Sequence, residues 1–85
     1  MNFSFKTERG NTIVVACGEN NTIEDLLKLF AKKVNLNYNL FENGKIYFLF
    51  NSYKLSIKDQ RKLKEVFSHY GWNSIIIVGG AGFYF

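Results

Sequence analysis

Eighty-five residues carrying a net charge of +4 suffice for one small domain with a single hydrophobic core. An apolar fraction of 47% argues against disorder, no apolar run reaches bilayer length, and the amino terminus MNFSFKTERG lacks the apolar centre of a signal peptide. The basic residues are spread along the chain and mixed with acids, which reads as solvated faces rather than a nucleic-acid surface.

Phe3 and Phe5 alternate with Ser4 and Lys6, the pattern of a strand with one buried face. Glu8-Arg9-Gly10-Asn11 supplies a hairpin turn around the glycine. Ile13, Val15 and Cys17 then alternate through a second strand, antiparallel to the first. Gly18 to Asn21 is a polar loop that ends at Thr22.

The segment TIEDLLKLFAKKVNL predicts the main helix, Ile23–Val34. Ile23, Leu26, Leu27, Phe30 and Val34 fall on one stripe. Thr22 and Asp25 form a capping-box pattern, with acids in the first turn and Lys32-Lys33 in the last, as the helix dipole favours. Asn35-Leu36-Asn37 and Asn43-Gly44 mark a loop. KIYFLF, Lys45 to Phe50, is a third strand, Asn51-Ser52 a turn, and Tyr53 to Leu55 a short fourth strand.

Ser56 with Asp59 resembles a second capping box, followed by Leu63, Val66, Phe67 and Tyr70 at helical spacing, with Gly71 placed to end that helix. Trp72-Asn73 reads as a turn. SIIIV, Ser74 to Val78, is apolar on both alternating sets and is therefore predicted to be a central strand. Glycines at 79, 80 and 82 then precede the aromatic run Phe83-Tyr84-Phe85. The predicted core is Phe3, Phe5, Ile13, Val15, Cys17, Ile23, Leu26, Leu27, Phe30, Phe48, Phe50, Leu63, Ile75 and Ile77.

Lys6-Thr7, Gly10, Thr12-Ile13 and Thr22-Ile23-Glu24 resemble the opening of the ubiquitin-like family, where a strand ending Lys-Thr, a turn glycine, Thr-Ile and a helix starting Thr-Ile-Glu follow in the same register. Phe48-Leu49-Phe50, Leu55 and Ile75 to Val78 are similar to that family's later strands. They match only with insertions around Asn37 to Gly44 and between Ser56 and Gly71. The resemblance implies an α+β, β-grasp fold in the order ββαββαβ, with a mixed sheet packed on the main helix. Residues 1–78 would form the domain and 79–85 a glycine and aromatic tail.

Catalysis has little to stand on. Cys17 is the single cysteine, without metal-ligand company in the sequence, and reads as a buried structural thiol. His69 and Ser68 are adjacent on the predicted helix and cannot face each other as a base and nucleophile. Gly79-Gly80-Ala81-Gly82 lacks the Lys-Ser/Thr of a phosphate loop. The expectation is a non-enzyme without cofactor or metal, whose partners are other proteins rather than small molecules, membranes or nucleic acid. A minor alternative is an RNA-binding sheet, suggested by the aromatics of KIYFLF; the two strands before the main helix and the missing Arg/Lys-Gly-aromatic signature count against it.

If Phe48 and Phe50 face the helix, Tyr47 and Leu49 face out; if Ile75 and Ile77 face in, Ile76 and Val78 face out. The resemblance makes these strands neighbours, giving an outer patch of Tyr47, Leu49, Ile76 and Val78 edged by Lys6. The family meets its receptors on this face, with Ile where Leu49 stands and Val where Val78 stands. Its Leu in the first turn is Glu8 here and its flanking His is Ile76, which points to receptors other than ubiquitin's own. The patch either binds a partner or is covered by the tail. The resemblance also implies a candidate protein modifier, processed or joined at Gly79, Gly80 or Phe85 and acting in the cytoplasm or nucleus. The alternative is a non-covalent interaction domain.

Overall fold

The computed structural model describes residues 1–68 and 70–79. A five-stranded mixed sheet is covered on one face by a single long helix. The strands are β1 (Asn2–Lys6), β2 (Thr12–Ala16), β3 (Tyr47–Phe50), β4 (Tyr53–Leu55) and β5 (Trp72–Val78); the helices are α1 (Ile23–Lys33), α2 (Asn39–Glu42) and α3 (Leu63–Val66). The sheet order is β2-β1-β5-β3-β4. β1 and β5 are parallel at the centre, and the pairs β1–β2, β3–β5 and β3–β4 are antiparallel.

Both hairpins follow from their turn residues. Gly10 takes φ +84° between β1 and β2. Asn51 and Ser52 take φ +50° and +69° between Phe50 and Tyr53, which face each other across a two-residue turn. The β2 edge is partly covered by α1, since the Lys33 ammonium donates to the Val14 carbonyl.

The first turn of α1 leaves none of its backbone donors orphaned. The Asp25 N–H donates to Thr22 Oγ1 at 3.1 Å while the Thr22 N–H donates to Asp25 Oδ2 at 3.0 Å, a reciprocal capping box. The N–H groups of Ile23 and Glu24 donate to the carbonyls of Arg61 and Asp59, both at 3.1 Å, and that of Leu26 donates to the Thr22 carbonyl. Segment 59–62 thus runs as a strap across the start of α1, joined by a bridge between Thr22 and Lys62.

That strap corrects the predicted second helix. Ser56 and Asp59 make a turn instead, because the Asp59 carbonyl is spent on α1 and its carboxylate on Arg61. The Arg61 guanidinium, by hydrogen bond and charge, holds the Asp59 carboxyl below its usual range. Helix α3 starts only after Lys62 and stops at Val66, with Phe67 already extended. Tyr70 lies beyond it and is exposed, Gly71 (φ +73°) leads into β5 rather than ending a helix, and His69 lies outside the described residues. Trp72-Asn73, expected to turn, opens β5 instead. The buried Asn73 amide donates to the Ser68 carbonyl at 2.9 Å and accepts from the Ser68 N–H at 3.2 Å.

The core lies between α1 and the inner sheet face. Phe5 stacks on Phe30 at 4.3 Å between centroids, and Phe48 meets both rings edge-on. Ile13 and Phe50 are only half-buried, while Ala31, Phe41, Ile46, Leu55 and Phe67 join the expected core. Phe41 comes from α2, a short helix inside the predicted loop, held by the Tyr38 hydroxyl donating to the Ile57 carbonyl at 2.9 Å. Burial, with Glu24 and Glu42 adding to it, pushes the Tyr38 phenol up to about 12.

Candidate functional site: the outer sheet face

Strand alternation sends Phe3, Phe5, Phe48, Ile75 and Ile77 to the helix, all fully buried, and sends Lys6, Tyr47, Leu49, Ile76 and Val78 to the opposite face. The sheet register brings those five together. Tyr47 pairs with Val78, Leu49 with Ile76, and Ile76 on its other side with Lys6. Ile76 is 48% exposed, unusual for an isoleucine in a central strand. Tyr47, Leu49 and Val78 are half-buried, and Lys6 is exposed.

The register adds Lys54, which sequence reasoning missed. Leu49 pairs with Lys54 on β4, so Lys6, Ile76, Leu49 and Lys54 form one continuous rung across four strands. A second rung holds Val78 and Tyr47, and the Lys54 ammonium lies 5.1 Å from the Tyr47 ring centroid. The signal for Lys54 was available: a two-residue turn at Asn51-Ser52 sets Leu49 opposite residue 54 by counting outward from the turn.

Toward the other end the face is mixed, with Val14, the register partner of Ser4 on β2, 43% exposed. Ser4 and Ser74 are register partners whose hydroxyls lie 3.2 Å apart, and Trp72, two residues further along β5, is 59% exposed. The aromatics of KIYFLF mostly face the core: Phe48 is fully buried and Phe50 packs on Phe67, leaving Tyr47 as the outward ring of β3.

At the end of β5, Gly79 is held in place by its neighbours. Its φ is +90°, and its N–H donates to Glu8 Oε1 at 2.8 Å. A Cβ there would lie 2.1 Å from the Lys45 carbonyl oxygen, so the close backbone approach requires glycine. Glu8 is therefore the residue of the first turn that receives the chain as it leaves β5. Gly80 and Phe85, the other expected processing or linkage positions, lie outside the described residues.

Cys17 is buried, and its sulfur accepts from Asn21 Nδ2 at 3.2 Å. Among the described residues, no group of three or more His, Cys, Asp or Glu is placed to hold a metal ion, and no helix is long and apolar enough to cross a membrane. No protein-family model matches the chain, and no curated protein matches it in sequence.

Proposed function

We propose that this chain is a ubiquitin-like β-grasp protein that works by recognising other proteins through its outer sheet face. The observation that carries this reading is the pairing of Leu49 with Ile76 and of Tyr47 with Val78 on the face turned away from α1. An apolar cluster in the middle of a sheet face, built from residues whose alternating neighbours already fill the core, adds nothing to that core and is available to a partner. The parallel β1–β5 pair, the two flanking hairpins and the single crossing helix support the β-grasp part of the reading. The pinning of Gly79 favours non-covalent recognition over a modifier whose tail begins at that glycine.

The test is capture of partners from the protein's own cells by the full chain, with Leu49→Ala combined with Val78→Ala as the comparison. Neither side chain belongs to the buried cluster, so the far-ultraviolet circular dichroism should be unchanged while capture is lost. Unchanged capture by the double variant would move the recognition site elsewhere.

A further inference from the structure

We infer that the cleft between α2 and the turn after β4 binds a small organic anion, an aliphatic or aromatic carboxylate that enters apolar end first. The inference is independent of the outer-face reading and departs from the sequence expectation of protein partners alone.

The cleft exists because the β3–β4 hairpin stops pairing early. Register runs from Phe50–Tyr53 to Phe48–Leu55 and goes no further. Beyond it the two segments part. On one side the chain reaches β3 from α2 through Gly44, which takes φ +72°. On the other, Ser56 turns the chain: its carbonyl accepts from the Asp59 N–H at 3.2 Å and its hydroxyl oxygen from the Lys58 N–H at 3.3 Å. The Tyr38 hydroxyl, donating to the Ile57 carbonyl, ties the start of α2 to that turn. The space between the two walls is about 390 Å³, within the range of small-molecule sites.

The lining divides by chemistry. Phe41, Ile46 and Leu55 are buried core residues that also line the cleft, with Tyr47 and Ile57 half-buried beside them. An apolar group that enters leaves water for an apolar surface. The charges are exposed: Lys54 and Lys58 against Glu42. None of the three makes an ion pair among the described residues. The Lys54 ammonium stands over the Tyr47 ring at the cleft wall, 5.1 Å from its centroid.

The placement of these charges selects the anion. Lys54 lies in β4 and Lys58 in the turn after it, with Ser56 between them in sequence, whereas Glu42 ends α2 on the opposite wall. The Ser56 oxygen accepts from the Lys58 N–H, which leaves its own proton to donate. A carboxylate on the β4 side therefore meets two ammonium groups and a hydroxyl, away from Glu42.

The experiment titrates the full chain with phenylpropionate, phenylpropanol and phenylpropylamine, which share one ring and linker and differ in charge. Binding is followed by backbone amide shifts in NMR spectra. Phenylpropionate should give saturable shifts at Ile46, Leu55, Ser56 and Ile57 and bind at least about tenfold more tightly than the amine, with the alcohol between them. Lys54→Gln with Lys58→Gln should bring the carboxylate down to the affinity of the alcohol and leave the alcohol unchanged. Lys6→Gln with Lys64→Gln removes the same charge elsewhere and should change neither. Equal affinity for carboxylate and amine, equal losses in the two double variants, or no saturation below about 10 mM overturns the inference. Binding that appears only after residues 80–85 are deleted also overturns it, by assigning the cleft to that segment of the chain.

Discussion

Phe30 illustrates how far single residues were legible. Its place on the α1 stripe announced burial, and the structure sets it against Phe5 and Phe48 with no exposed surface. Phe30→Ala should cost about 3–5 kcal/mol, enough to unfold most domains of this size, and near-wild-type thermal melting would remove Phe30 from the core. Phe41 was not legible, because a four-residue helix is too short to show a period and its neighbours Asn37, Asn43 and Gly44 all signal a loop. The close approach at Gly79 was not legible for a related reason. Glycine suits both a loose tail and a close approach, and the deciding contact, Glu8, is 71 residues away. A pair of variants separates the two uses. Gly10→Ala meets open space and pays only for positive φ, about 1–2 kcal/mol, whereas Gly79→Ala adds the clash with the Lys45 carbonyl and should cost more. Equal costs by urea denaturation would show that the Lys45 approach relaxes freely.

At the scale of elements, α1 was read almost to the residue because periodicity, cap and charge placement agreed. The second helix failed for lack of that agreement. Ser56 and Asp59 imitate a cap, but the carbonyls of Asp59 and Arg61 are used to complete the first turn of α1, so the segment cannot also wind into a helix. Sequence spacing records side chains and says nothing of where a backbone carbonyl is needed. Thr22→Ala should cost about 1 kcal/mol by leaving the Asp25 N–H unpaired, with the denaturant slope unchanged. The Tyr38 link between α2 and the strand-to-strap turn should appear in the alkaline limb of stability. Its phenol titrates at about 12 in the folded chain against 10.0 unperturbed. The neutral form is therefore the one the fold favours: the contribution is full below pH 10 and is lost as the pH rises toward about 12. Tyr38→Phe should flatten that limb relative to wild type, and an identical alkaline decline in the variant would assign it to other groups.

For the whole molecule, the two alternating apolar sets of Ser74 to Val78 placed β5 in the middle of the sheet, where it lies between β1 and β3. From that placement the outer patch followed, because a central strand with two apolar faces must present one of them away from the core. The exit of the chain from β5 bears on how such a face would be used. A protein joined to a target through its carboxyl end needs free backbone between its last strand and the bond. Here the Gly79 N–H is held by Glu8, and the Lys45 carbonyl occupies the space a side chain at 79 would need. Counting from that fixed point, linkage at Gly80 has at most about 3.5 Å of reach, and linkage at Phe85 about 20 Å. An active site that grips extended backbone excludes the first and admits the second. Conjugates of this chain, where formed, should therefore be joined through residues beyond Gly80. A tagged chain expressed in its own cells provides the measurement. Higher-mass species that survive denaturation, disappear on deletion of residues 79–85 and carry a linkage fragment extending past Gly80 are the outcome expected of a modifier. A fragment ending at Gly80 would mean that the Glu8 contact opens during transfer, and Glu8→Ala should then raise the yield. Partners recovered only under native conditions would leave non-covalent recognition by the outer face.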